Sequence, residues 1–467
     1  MTPAYVALSR RLVPVILVTA LALTWPALLL NGAPLIFADT LDFLAMGLGP
    51  ERFIRARGYG WFAGPLARTA GSLWPVVVAQ ALLTAALTHV VLRTVLPGLE
   101  VRGHLAAGLG LAALTTAPWA VSYVMPDALT APGLLALFLV LVLPAGRWVA
   151  VVMAAGVVAL ATASHVTHVL AVLATLSALG LWRLVAGAAI GVPPSRLVLA
   201  TAAALAGAGA AVGANAALTG RTEYAGAGGI FLAARLAGDG LLQRHLAHAC
   251  PAPDLPRLCA ARARIPYDVD EFLWSRRSPL YDTGNFLALE PELGVAAAAT
   301  VRAYWPAEAA RAVERSLRQL VTLGAGDGLD RELVAIFGPL LAKVVSPAAA
   351  AAALGSRQAR EELSEHLLTA VPGPLALVAL AACVVLSVGW GRRLIREHPL
   401  AALLLAVVLI GAVANAGAVG LGAEVHARYQ SRIAWLFPLA AAVAFAALKT
   451  RKLAHPSSSE GASTSGL

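Results

Sequence analysis

The chain has 467 residues, of which 59% are hydrophobic and only 13% charged, and its mean hydropathy is +0.77. A soluble domain carries about 25% charged residues, so this composition excludes a water-solvated globule and calls for lipid as the solvent. The net charge of +10 reads as the positive-inside bias of a membrane protein; no aromatic-basic motif accompanies it, and no nucleic-acid partner is expected.

A spanning helix needs roughly 20 mainly apolar residues. Ten candidates follow in chain order: 13–30, 73–96, 104–124, 128–145, 148–163, 166–187, 196–218, 371–389, 400–420 and 432–449. Arg10 and Arg11 precede the first. A cleaved signal peptide is the competing reading there, but the run is long and lacks a small-x-small site, so a retained helix is expected.

Placing the N-terminus in the cytoplasm puts a basic residue in every short inner turn: Arg93 and Arg102, Arg147, Arg183 and Arg196, the run Arg392, Arg393 and Arg396, and Lys449, Arg451 and Lys452 at the end. That is the positive-inside pattern, and an even number of spans returns the C-terminus to the cytoplasm. Dropping one helix would reverse everything after it.

The expected fold is therefore all-α: a polytopic bundle of about ten spans with a helical extracytoplasmic domain, in a bacterial-type inner membrane. Residues 1–218 form an N-terminal membrane module with a first outer loop at 31–72. Residues 219–370 form the outer domain, 371–449 a C-terminal membrane module, and 450–467 a low-complexity cytoplasmic tail expected to be disordered. Within the outer domain, alanine-rich stretches at 295–320 and 346–368 read as helices. Cys250 and Cys259 form a disulfide if that domain meets an oxidising compartment, and are two free thiols otherwise.

Four polar clusters share the outer face. The first is Ala38-Asp39-Thr40-Leu41-Asp42, whose two carboxylates would share one face of a short interfacial helix. Desolvation there raises a carboxyl towards a general-base range; the plain alternative makes Asp39 a helix cap and Asp42 a solvated first-turn acid. The same loop continues through Arg52, Arg55, Arg57, Tyr59 and Trp61, cations and aromatics suited to a lipid phosphate or to interfacial anchoring.

The second cluster, Tyr123-Val124-Met125-Pro126-Asp127, either starts a helix or presents Asp127 on the side of Asp39. The third, Ser164-His165-Val166-Thr167-His168, sets two histidines three apart. They suit a phosphate, a proton relay, or a divalent metal given one further ligand; polar packing is the alternative. The fourth, from Glu424 through His426, Arg428 and Tyr429 to Arg432, is the densest. Its two arginines, four apart, suit bidentate phosphate binding or a structural ion pair, and lie against the positive-inside trend.

This layout resembles the GT-C superfamily of lipid-linked sugar transferases, with protein-mannosyl and aminoarabinose transferases arranged similarly. The likeness rests on the cytoplasmic N-terminus, the first outer loop opening with Asp39-x-x-Asp42, the short middle spans and a late outer domain. It covers residues 1–220 by pattern and the remainder by architecture. The resemblance implies a polyprenyl-phosphate sugar as donor, a lipid, glycan or protein as acceptor, no certain cofactor, and inversion at the anomeric carbon. Asp39 would be the base, Asp42 or Asp127 would orient acceptor or sugar, and Arg428, Arg432 and His168 would stabilise the leaving phosphate. Competing classes are a lipid or polysaccharide flippase, an outer-face polymerase, ligase or acyltransferase centred on His165 or His168, and a non-catalytic assembly subunit. The nearly charge-free spans weigh against a transport path.

Overall fold

A computed structural model describes residues 3–46, 49–50, 52–187, 191–329, 340–364 and 369–450. The expected disordered tail beyond residue 450 lies outside them. Among the described residues every regular element is helical, with one isolated bridge between Leu35 and Tyr123.

The N-terminal module holds α1 (Pro3–Leu23), α2 (Ala38–Met46), α3 (Gly58–Ala70), α4 (Trp74–Val95), α5 (Val101–Leu114), α6 (Ala117–Ser122), α7 (Thr130–Val142), α8 (Trp148–Ser164), α9 (Val166–Ala186) and α10 (Pro194–Thr219). Next come α11 (Gly228–Gly238), α12 (Leu241–Ala249), α13 (Pro256–Ala261), α14 (Val269–Trp274), α15 (Glu290–Val321) and α16 (Pro347–Leu354). The chain closes with α17 (Pro372–Glu397), α18 (Pro399–Gly422), α19 (Ala427–Ala434) and α20 (Leu436–Lys449).

Among the described residues, seven helical stretches are long and apolar enough to cross a membrane: α4, α8, α9, α10, α17, α18 and the α19–α20 pair. The protein is thus a multi-pass membrane protein. Leu184, Val185, Val388 and Met153 are exposed on α9, α17 and α8, the outward apolar surface that lipid would cover.

The three other expected spans are shorter or broken, for local reasons. In 13–30, α1 stops at Leu23 and Pro26 opens a single π turn, Pro26–Asn31, that ends on the left-handed Gly32. In 104–124, Thr115 bonds back to the Leu111 carbonyl and accepts from Ala117 N, so its hydroxyl replaces helix bonds and separates α5 from α6. In 128–145, α7 is only 13 residues long and buried from Thr130 to Leu141. A helix apolar on every side belongs in the middle of a bundle.

A separate small core lies between Ala227 and Val301, where Leu242, Phe272, Leu280 and Leu293 are buried together. Cys250 and Cys259 are bonded to each other beside it. The long α15 links this core to the membrane module. It kinks at Tyr304, two residues before Pro306, which lacks the N–H that a continuous helix requires. Before the kink Leu293 and Ala296 fill the small core; beyond it Ala312 and Ser316 run so close to α18 that a Cβ on Gly420 would collide with Ser316 Oγ.

Four charges, three of them buried, fasten this junction. Arg235 bonds Asp239 (2.6 Å) and Glu308 (3.0 Å), and Arg315 bonds the same two acids (2.8 and 3.0 Å). Arg315 Nε also donates to the Gly420 carbonyl at 2.8 Å, satisfying one of the orphan acceptors at the end of α18.

Candidate functional site

The loop at 31–72 is fastened to the segments around residues 123 and 358. Gln358 bonds both the N–H and the carbonyl of Ile36 (3.1 and 2.7 Å), and Asn31 Oδ1 accepts from Gln358 N at 2.7 Å. Thr40 accepts from Phe37 N and donates to the Val124 carbonyl, so α2 is pinned to the segment that carries Asp127. Leu35 pairs with that same segment at Tyr123.

Beneath this loop lies a small, partly open cavity of about 40 Å³. Its walls are apolar and aromatic: Phe37, Trp119, Tyr123 and Met125. Its charged groups are Asp127, Asp327, Arg428 and Arg432. An apolar cleft with a few convergent polar groups is the usual form of a ligand site.

The two arginines differ in kind. Arg432 is buried and engaged: Nη1 bonds Asp127 Oδ1 at 2.9 Å, while Nη2 bonds Thr167 Oγ1 at 2.8 Å and Asn415 Oδ1 at 2.7 Å. Asn415 is held in turn by the Tyr429 carbonyl and Gln430 Oε1. Arg432 therefore staples α9, α18, α19 and the Asp127 turn together. Arg428 lies over the Phe37 ring, 3.8 Å from its centroid. Among the described residues its guanidinium donates one hydrogen bond, to Tyr429 Oη at 3.0 Å. A guanidinium has five N–H donors, so Arg428 keeps most of its capacity for a ligand.

Asp39 and Asp127 both act electrostatically on Arg428, as does Asp327. Asp127, Arg428 and Arg432, from the second and fourth predicted clusters, line one cavity, whereas Asp39, Asp42, His165 and His168 do not. Both carboxylate oxygens of Asp39 lie 2.9 Å from Arg55 Nη2, and Asp39 does not line the cavity itself. Asp42 carries no hydrogen bond among the described residues; burial first, then repulsion from Asp39, pushes its carboxyl up to about 6, with Arg55 pulling the other way.

His165 caps α9, its Nδ1 accepting from Thr167 N at 3.2 Å, which places the neutral proton on Nε2. His168 lies with its ring centroid 5.4 Å from that of His165. Its Nδ1 faces the Ala161 carbonyl at 3.0 Å and its Nε2 faces Thr130 Oγ1 at 2.7 Å. Both nitrogens are used inside the protein, so His168 is a packing and positioning group, correcting the expectation that it meets a phosphate. No group of three or more His, Cys, Asp or Glu among the described residues is arranged to hold a metal ion.

Arg57 and Tyr59 also leave the expected role. Arg57 Nε donates to Asn215 Oδ1 at 2.5 Å and Nη1 to the Gly49 carbonyl at 2.7 Å, tying the loop to the end of α10. Tyr59 donates to Gln80, which donates to the carbonyls of Val121 and Tyr123 and so positions the cavity wall. Arg52 pairs bidentately with Glu223 (2.8 and 2.7 Å). These residues build the loop; they do not line the cavity.

His426 stands between two acids, 3.8 Å from Asp327 and 3.9 Å from Asp270. Glu424 lies nearby and, with Asp268 and Asp327, adds to the rise of the Asp270 carboxyl, whose main cause is burial.

Sequence reasoning missed Asp327, which accepts from Arg428 N at 3.2 Å. Its signal is the glycine-flanked run Gly324-Ala325-Gly326-Asp327-Gly328, an acid on a close-approach loop. Gly328 has φ +84, and a Cβ there would strike the Phe37 ring. Asn415, a polar residue inside an apolar span to which the sequence assigns no role, accepts from Arg432 Nη2. No family profile, curated protein or solved structure matches the chain.

Proposed function

We propose that the protein is an integral membrane glycosyltransferase that moves a sugar from a polyprenyl-phosphate donor to an acceptor hydroxyl on the extracytoplasmic face, with inversion. The observation that carries the reading is Arg428: a guanidinium with spare donors, stacked on Phe37 at the edge of an aromatic-walled cavity, among Asp39, Asp127 and Asp327. Apolar walls suit an isoprenoid chain, and a planar fork of N–H donors suits its phosphate.

Asp39 removes the acceptor proton. The acceptor oxygen then bonds to the anomeric carbon as the bond from that carbon to the phosphate oxygen breaks, and the polyprenyl phosphate leaves with the electron pair. Arg428 stabilises the charge that develops on the departing oxygen. Arg432 holds Asp127 fixed, where it orients the sugar hydroxyls. Positive charge develops at the anomeric carbon in such displacements, and the surrounding carboxylates favour it.

Counting α1, α5–α6 and Pro126–Val142 as spans gives ten crossings, with both termini in the cytoplasm and Arg93, Arg147 and Arg196 at inner turns. The Cys250–Cys259 bond supports an oxidising, extracytoplasmic location for the small domain, as in a bacterial-type inner membrane.

The test is transfer of labelled sugar from a panel of polyprenyl-phosphate donors by purified protein. Wild type is expected to turn over. Asp39→Asn should lose about 10²–10⁴-fold in kcat, and Arg428→Ala about 10²–10³-fold. Retained activity in folded Asp39→Asn moves the base to Asp327 or Asp127. No turnover with any donor removes the transferase reading.

A further inference from the structure

The small domain brings one face of α14 close to His426 and to Arg55. Asp270 and Trp274 lie four apart on this helix and so share a face. Asp270 reaches towards His426, with Oδ2 3.9 Å from Nε2, and remains half exposed. Trp274 reaches towards the first outer loop, where the Arg55 guanidinium lies 5.9 Å from its ring and 4.6 Å from that of Phe231. That same Arg55 holds the Asp39 carboxylate. This face of α14 thus neighbours His426 at one end and, at the other, the arginine that holds the candidate base.

The indole is fixed in place yet left open. Phe286 stacks on it with the planes 7° apart, and Phe231 tilts against it with centroids 6.4 Å apart. Tyr281 braces the helix by donating to the Leu273 carbonyl at 2.8 Å. A tryptophan serving the core would be buried, as Phe272 is; Trp274 instead keeps 47% of its surface. A partly exposed indole and a half-exposed carboxylate acceptor match two surfaces of a sugar ring: its C–H face and its hydroxyl donors.

We propose that this face of α14 is the acceptor subsite, and that it takes a pyranose ring of a glycan or glycolipid rather than a protein side chain. The inference rests on the transferase reading for the word acceptor, and on α14 alone for the sugar. A ring stacked on Trp274, with a hydroxyl on Asp270, carries a further hydroxyl towards Asp39. Donor phosphate is held on the other side by Arg428.

The test is saturation-transfer NMR on the full-length protein in nanodiscs, with methyl α-D-mannopyranoside, methyl β-D-glucopyranoside and methyl β-D-galactopyranoside as probes. Wild type should pass saturation to the C–H face of at least one probe. Trp274→Ala should weaken that binding about tenfold, whereas Trp274→Phe, which keeps a flat ring and guards against misfolding, should retain most of it. Asp270→Asn should weaken it less, and Arg428→Ala should leave it unchanged. In the donor assay the same Trp274→Ala protein should show raised KM for acceptor with little change in kcat. No transfer to any probe in wild type, or equal transfer in wild type and Trp274→Ala, overturns the proposal. Sugar binding that needs Trp274, in a protein that turns over no donor, keeps the subsite and removes the transferase reading.

Discussion

Replacing Arg432 with methionine removes three donated hydrogen bonds at once, to Asp127, Thr167 and Asn415. The side chain is 2% exposed, so no water replaces them. The dominant loss is the Asp127 carboxylate left buried without its counter-charge, since deleting one partner of a buried pair destabilises by about 3–5 kcal/mol. Replacing the acid as well, in Asp127→Asn/Arg432→Met, removes that uncompensated charge. The double variant should therefore recover about 2 kcal/mol or more relative to the sum of the single losses. SDS-titrated unfolding in mixed micelles, with all four proteins compared, measures the coupling. Arg428→Ala provides the internal contrast, because its guanidinium bonds only Tyr429 among the described side chains, and it should unfold within about 1 kcal/mol of wild type. Additive losses for Asp127→Asn and Arg432→Met would refute the staple. A large loss in Arg428→Ala would refute the division of the two arginines into a positioning and a ligand-binding group.

Three further outcomes are expected. Asp42 has its carboxyl raised from 3.8 to about 6 by burial and by Asp39. A raised acid contributes stability that is fully present below the unfolded value and is lost as pH climbs through the folded one. Between pH 4 and 6.5 the wild type should lose up to about 3 kcal/mol relative to Asp42→Asn, and nearer 1 kcal/mol given partial solvent access; parallel pH profiles of thermal unfolding would count against it. Gly328→Ala places a Cβ at φ +84 against the Phe37 ring, which should cost about 1–3 kcal/mol and displace the ring beneath Arg428, so donor KM should rise; unchanged kinetics would dismiss Phe37 as a ligand platform. Cys250→Ser should destabilise the small domain by about 2–3 kcal/mol, and in intact cells both native thiols should resist alkylation until reduced; ready alkylation without reductant would contradict the oxidising location.

Composition and charge made the class of the chain legible, because an apolar excess of this size has few other solvents than lipid. The helical class and seven membrane-length helices follow from runs of local apolar residues, a signal each segment carries by itself. The loops also carried the polar residues that come together: Asp127, Arg428 and Arg432, from segments distant in sequence, line one cavity. Local signals failed where burial or packing decided the outcome. A buried helix such as α7 is short, and the Thr115 hydroxyl together with Pro118 breaks the run 104–124 into two helices, so hydropathy alone did not give the helix boundaries there.

Only tertiary structure could sort the polar residues by role, since role depends on which hydrogen-bond donors are already used. Arg428 and Arg432 look alike in sequence; one meets Asp127, Thr167 and Asn415 from distant segments and the other meets an aromatic face. Arg57 finds Asn215, 158 positions away, and becomes part of the frame. Asp327, Asp270 and Trp274 reach the site from a segment whose own pattern says only helix and loop. The sequence determined that this chain lives in a membrane and where its unusual residues cluster, because hydrophobicity and charge act locally. Which of those residues remain free for a ligand was decided by the fold, because satisfaction of a buried polar group is a property of its neighbours in space.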